Sequence, residues 1–159
     1  MNRPTHFDSD GNAHMVDVSG KSPTVRVAVA SGEVRMLVET AEMIRDGSSK
    51  KGDAIGVARL AAIQATKWTQ MLIPLCHSIP IESVSVEFDW LEPHRLCCTA
   101  TVRTTGKTGV EMEAMTAVSI GCLTVYDMVK SVDREVSICE IRLLEKSGGK
   151  SGHFIRGDS

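Results

Sequence analysis

One stretch limits what this chain can become. Thr101 to Lys130 reads TVRTTGKTGVEMEAMTAVSIGCLTVYDMVK. It begins with strand-forming residues, turns at Gly106-Lys107-Thr108-Gly109, and continues as a long helix. Met115, Val118, Cys122, Val125 and Val129 make one apolar stripe, and Ala114, Ala117, Ile120 and Met128 extend it around the axis. A helix that is apolar nearly all round belongs in an interior. Its polar residues Glu113, Thr116, Ser119, Thr124, Asp127, Lys130 and Ser131 fall within one arc of roughly 140° at 100° per residue. Such an arc on a buried helix should line a cleft or a polar contact, because buried charge is costly unless paired or used. Asp127 and Lys130, spaced i,i+3, can meet on that face. Taken alone, they read first as a structural ion pair near the helix end, and Glu111 and Glu113 as acids favoured in a first turn.

The remaining composition sets bounds. A chain of 159 residues favours a single domain, 1–159, with a real core. Aromatic content of 4% argues against stacking platforms, and a net charge of -2 without a long basic run argues against nucleic acid as a partner. Five cysteines are present, Cys76, Cys97, Cys98, Cys122 and Cys139, with no C-x-x-C pair. An odd number, with no signal peptide and no 18-residue apolar run, points to reduced thiols, a cytoplasmic location and no membrane partner. Cys97 and Cys98 face opposite sides of a strand, so a zinc site is not expected.

In chain order, residues 1–23 read as a mobile polar arm with a short alternating piece at Met15-Val16-Asp17-Val18. Thr24–Val29 and Val34–Val38 read as strands around a turn at Ser31-Gly32. A helix is expected over Glu39–Asp46, stopped by Gly47, then a basic loop with Lys50 and Lys51. Asp53 should cap a helix running to about Gln70, its apolar side formed by Ile55, Ala58, Ala62, Ala65 and Thr69. A loop follows with Leu75-Cys76-His77 between Pro74 and Pro80. Val84, Val86, Phe88 and Trp90 alternate with polar residues, marking a strand with one buried face. After a turn at Glu92-Pro93-His94, Leu96–Thr105 returns antiparallel into the long helix. Val136–Leu144 is the last expected strand, and 146–159 a flexible glycine-rich tail. Strand, helix, strand, strand, helix, strand is the order of a split βαβ, ferredoxin-like α+β sandwich, an antiparallel sheet with helices on one face. The all-round apolar helix points to a neighbouring subunit covering what the sheet does not.

Candidate chemistry is spread along the chain. Gly106-Lys107-Thr108 and Gly149-Lys150-Ser151 look like phosphate loops, but the glycine that a Walker A motif needs is replaced by Thr101 and Leu144. Lysines on glycine turns remain a candidate anion cradle. As an imidazole in a loop, His77 suits an acid/base or donor role, or a loop histidine bonded to backbone. Lys51, just before a helix N-terminus, suits a phosphate or plain solvent. Glu113 and Asp127 lie about 21 Å apart along one helix, so either the substrate is long or another subunit completes the site.

Three segments carry a resemblance: KGDAIGVARLAAIQATKWTQMLIPLCHSIPI, ATVRTTGKTGVEMEAMTAVSIGCLTVYDMVK and IRLLEKSGGKSGH. With HMVDV near residue 14, the chain resembles the cyclic pyranopterin monophosphate synthases, the C protein of molybdenum cofactor biosynthesis, from about His6 to His153. Met115 stands where that family more often has Leu, and Trp68 where it has a smaller or basic residue; both read as packing positions. The resemblance implies a ferredoxin-like fold assembled as a homohexamer, a trimer of dimers, with active sites at subunit interfaces. It implies a lyase that converts 3′,8-cyclo-7,8-dihydroguanosine 5′-triphosphate to cyclic pyranopterin monophosphate, releasing pyrophosphate. By motif, Leu75, Cys76, His77, Met112 and Glu113 match substrate-binding segments, Asp127 the catalytic acid with Lys130 beside it, and Lys51, Glu111, Lys146 and Arg26 other site residues.

These residue types suit that chemistry. A triphosphate needs cations, and Lys51, Lys146, Lys150 and Arg26 are candidates. Ring opening and reclosure need proton transfers that Asp127, Lys130 and His77 can exchange once their environments tune them. Cyclic phosphate formation needs a base and charge stabilisation at the α-phosphate. A rearrangement needs no redox cofactor, no metal ligand set is expected, and the carboxylates leave room for Mg²⁺ without requiring it. The alternative class is a non-catalytic nucleotide-binding or assembly module, in which Asp127→Ala mainly lowers stability.

Overall fold

The structure, a computed structural model, describes residues 6–157. The outer parts of the expected arm and tail, residues 1–5 and 158–159, lie outside the described residues. At the centre is β1 (Thr24–Arg35), paired antiparallel on one side with β3 (Arg95–Gly106) and on the other with β4 (Ser137–Ser147). β2 (Ser83–Glu92) lies beyond β3, and a two-residue β5 (Phe154–Ile155) beyond β4, giving the order β2-β3-β1-β4-β5. β1 and β2 are both antiparallel to β3, so they run parallel with β3 between them. Between them in sequence come α1 (Val38–Arg45), α2 (Ala54–Thr66) and the single turn α3 (Thr69–Leu72). α4 (Glu111–Val129) joins β3 to β4. The fold is α+β, as expected.

The turn expected at Ser31-Gly32 does not exist; β1 is unbroken. Gly32 is there because α4 presses on the sheet. A Cβ at that position would lie 3.1 Å from Cys122 Sγ and 3.3 Å from Ile141 Cγ1. The irregularity falls instead on β4, where the pairing slips between Ser31 and Glu33. Glu140, at φ 54°, takes up the extra residue as a bulge.

Asp53 caps α2 as expected, accepting the Gly56 N–H at 2.8 Å, and Gly47 ends α1 at φ +66°. α2 stops at Thr66, short of Gln70, because Lys67 and Trp68 donate to the carbonyls of Gln64 and Ala65 and tighten the last turn. That turn leaves Trp68 53% exposed, so it is not a packing position within this chain. The last expected strand is longer than its pattern. β4 runs to Ser147, and the glycine-rich turn brings β5 back to pair with Glu145 and Lys146.

α4 has the length, 19 residues, and mean hydropathy, 1.2, of a membrane span, but 56% of that window is buried inside the protein. The sheet covers one side. α2 covers another through Ala58, Ala62 and Ala65. Gly121 permits the approach, since a Cβ there would stand 3.2 Å from both Ala62 Cβ and Cys98 Sγ. The apolar girth of α4 is therefore met largely by α2, not by a neighbouring subunit alone. Leu96, Val102, Cys98, Val118, Cys122, Val125 and Val129 fill the layer between sheet and helices.

Candidate active site

The side chains expected to carry function collect at the two ends of α4. At its N-terminal end an open cleft of ≈740 Å³ is lined by Lys21, Arg26, Lys107, Glu111, Lys146 and Lys150. A smaller cleft of ≈360 Å³ adjoins it, with Leu75, Cys76, His77, Met112 and Glu113 in its wall. The two share Lys21, Thr108, Gly109 and Glu111. The Glu111 carboxylate lies directly over Gly109, in the space that a Cβ there would take. The structure thus brings together Arg26, Leu75, Cys76, His77, Glu111, Met112, Glu113 and Lys146.

Arg26 is only 9% exposed, and among the described residues no carboxylate pairs with it. Its guanidinium donates to the carbonyls of Gly106 (3.3 Å) and Lys107 (3.4 Å). Gly149, at φ +74°, lies flat against it where a Cβ would collide. A buried, unneutralised cation on a cleft wall favours an anion in that cleft. Lys146 meets Glu111 Oε1 at 3.2 Å and donates to Ser151 Oγ at 2.9 Å. His77 contacts Val16 O through Nε2 at 2.7 Å; a carbonyl only accepts, so Nε2 carries the proton. Glu113 is 3% exposed. Burial pushes its carboxyl up to about 7, and neighbouring Glu111 pushes the same way. Burial, then Glu113, also raises the Cys76 thiol.

At the C-terminal end Lys130 Nζ meets Asp127 Oδ1 at 2.7 Å, and Lys51 Nζ lies 3.6 Å from Oδ2. Lys51 also donates to the Asp127 carbonyl at 2.7 Å, satisfying a backbone acceptor that the helix end leaves open. The Lys130 hydrogen bond, then the charges of Lys130 and Lys51, hold the Asp127 carboxyl below the usual carboxylate range. The same hydrogen bond raises Lys130. Asp127 is therefore a carboxylate between two ammonium groups, and the protons at this end sit on the lysines.

The structure adds to what the pattern gave. The polar arc is not one continuous lining: Glu113 and Thr116 are buried, and the half-buried Ser119 and Thr124 donate to the carbonyls of Met115 and Ile120 on their own helix. Lys51 reaches Asp127 of its own chain, because the loop after α1 folds back onto the end of α4. His77 lies at the opposite end of the helix, roughly 21 Å away by the rise from Glu113 to Asp127. Lys21 joins the cleft from a segment read only as an arm; the alternating residues just before it were the available signal. Among the described residues no three His, Cys, Asp or Glu side chains converge to hold a metal ion.

Residues 15–149 match the MoaC family. A protein of Rhodopirellula baltica named cyclic pyranopterin monophosphate synthase is 57% identical, over 97% of this chain and 94% of that protein. One of the same name from Desulfitobacterium hafniense is 53% identical, again over 97% of this chain and 94% of that protein.

Proposed function

This chain belongs to the MoaC family, and from that premise we propose that it synthesises cyclic pyranopterin monophosphate in molybdenum cofactor biosynthesis. Its substrate is 3′,8-cyclo-7,8-dihydroguanosine 5′-triphosphate, and pyrophosphate is released, which makes it a phosphorus–oxygen lyase. The observation that carries the reading on this chain is the cation-lined cleft beside a buried carboxyl that titrates near 7. The triphosphate lies along Arg26, Lys146 and the neighbouring lysines. The base-derived ring lies toward Leu75, Cys76, His77 and Met112. Glu113, its carboxyl pushed up to about 7 by burial, exchanges protons as the ring opens and recloses, with His77 as a hydrogen-bonding partner in the same cleft. A sugar hydroxyl loses its proton and attacks the α-phosphate; the bond to pyrophosphate breaks as the cyclic ester forms. Asp127 orients Lys130 and Lys51, which supply protons and offset developing charge.

One small substrate cannot span about 21 Å of helix. Each site is accordingly built from the N-terminal end of one α4 and the C-terminal end of another, in a ferredoxin-like homohexamer arranged as a trimer of dimers. The free thiols suit a cytoplasmic enzyme. The test is incubation with the cyclic dihydroguanosine triphosphate, following pyrophosphate and pterin together. The wild type should form both. Asp127→Ala and Lys130→Ala should each lose at least ~100-fold in rate with an unchanged unfolding midpoint. Tight binding without pyrophosphate release would favour a nucleotide-binding module and defeat the proposal.

A further inference from the structure

α1 is lightly held. Of its residues only Thr40 and Ala41 are buried, and its N-cap residue, Leu37, brings no side-chain acceptor. Side-chain contacts pin both ends. At the C-terminal end Arg45 donates to Pro93 O at 2.7 Å and lies 3.9 Å from the centre of the Trp90 ring. At the N-terminal end stands Asp133, 2% exposed. One of its oxygens accepts the Leu37 N–H (2.9 Å) and the Thr40 hydroxyl (3.1 Å); the other accepts the Glu135 N–H (3.0 Å). Its own N–H donates to Val129 O, at the last residue of α4, at 3.1 Å. One buried carboxylate therefore joins the end of α4 to the start of α1, which lies 96 residues away in sequence.

Lys51 leaves from the far end of α1, which is about 12 Å long at 1.5 Å per residue. The intervening loop turns at Gly47 and Gly52, at φ +66° and +85°, and delivers Lys51 to Asp127. Asp127, Lys130 and Asp133 follow one another at the same helix end. Asp133 directs its hydrogen bonds to Leu37, Thr40 and Glu135, not to the lysines. We infer that Asp133 is a positioning residue that sets Lys51 against Asp127 and Lys130, acting through α1. Its importance for turnover rests on the function proposed above; the placement itself does not.

The experiment uses the full chain with Asp133→Asn, and with Thr40→Val, which removes a single hydrogen bond. Lysine acylation followed residue by residue by mass spectrometry reads the placement without substrate. In both variants Lys51 should label at least about threefold faster while Lys50 and Lys67 keep their rates, because only Lys51 loses a held partner. With substrate, kcat of Asp133→Asn should fall ~10-fold or more with KM nearly unchanged, as a displaced catalytic group costs rate before binding. In a Lys51→Ala background the same change should add almost nothing. Unchanged Lys51 labelling in a folded variant overturns the inference. So does a uniform rise at every lysine, which marks general loosening. If Asp133→Asn does not fold, Thr40→Val carries the same comparison. An inactive wild type in which these variants still free Lys51 selectively would defeat the functional reading and leave this one standing.

Discussion

Glu113 is the side chain whose state can be tested without any substrate. Burial raises its carboxyl from 4.5 to about 7. Below 4.5 the folded and unfolded chains both hold the proton, and Glu113 makes stability no more pH-dependent. Between 4.5 and about 7 only the folded chain holds it, so stability falls as pH rises through that window. The loss across the window is at most about 3.5 kcal/mol, since each pH unit in it costs roughly 1.4 kcal/mol. Glu113→Gln should flatten this slope, so that urea midpoints at about pH 5 and pH 8 move together while those of the wild type separate. A wild type no less stable at the higher pH would contradict the burial argument. Glu113, Asp127 and Lys130 were legible in sequence because a helical period places residues by angle. The contact of Lys51 with Asp127 was not, because a loop's composition says nothing of where it returns. Lys21 was hidden for the same reason.

Elements differ in how openly they declare themselves. β2, β3 and α4 follow periods of 2 and 3.6, and their bounds in the structure lie within a few residues of the pattern. β1 does not. Glycine serves either to adopt a positive φ or to remove a Cβ, and a sequence does not say which. Gly47 serves the first purpose and Gly32 the second, so Gly32 read as a turn. Gly121 is of the second kind as well. Its role predicts that Gly121→Val, which places a branched side chain between Ala62 and Cys98, destabilises by about 1–3 kcal/mol. The check is a lower urea midpoint with unchanged slope. A midpoint equal to that of the wild type would mean that α2 and α4 have room to part.

At the scale of the whole molecule, the proposal that the two ends of α4 are half-sites makes a prediction about mixing. Lys146→Ala spoils the N-terminal half and Asp127→Ala the C-terminal half. If each working site draws one half from each of two chains, refolding the two inactive variants together leaves some sites with neither defect. Random pairing makes about half the dimers mixed, and roughly a quarter of all sites intact. Lys51→Ala with Asp127→Ala should show no such recovery, since those side chains share one end of one chain. Recovery in the second mixture, or none in the first once mass measurement confirms mixed oligomers, would reject the shared arrangement. The sequence carried the separation along the helix, which is simple arithmetic. It did not carry which loop visits which end, a property of the folded path.

The unbroken central strand bears on how the protein is made. β1 is complete by Arg35, but β4, its partner on one side, ends only at Ser147, roughly 110 residues later. At the pace of a translating ribosome, ~5–20 residues per second, that is a delay of between roughly 6 and 22 s. Throughout it the strand destined for the middle of the sheet has an unmatched hydrogen-bonding side. A nascent chain of this protein therefore carries an open strand edge until its last quarter has emerged.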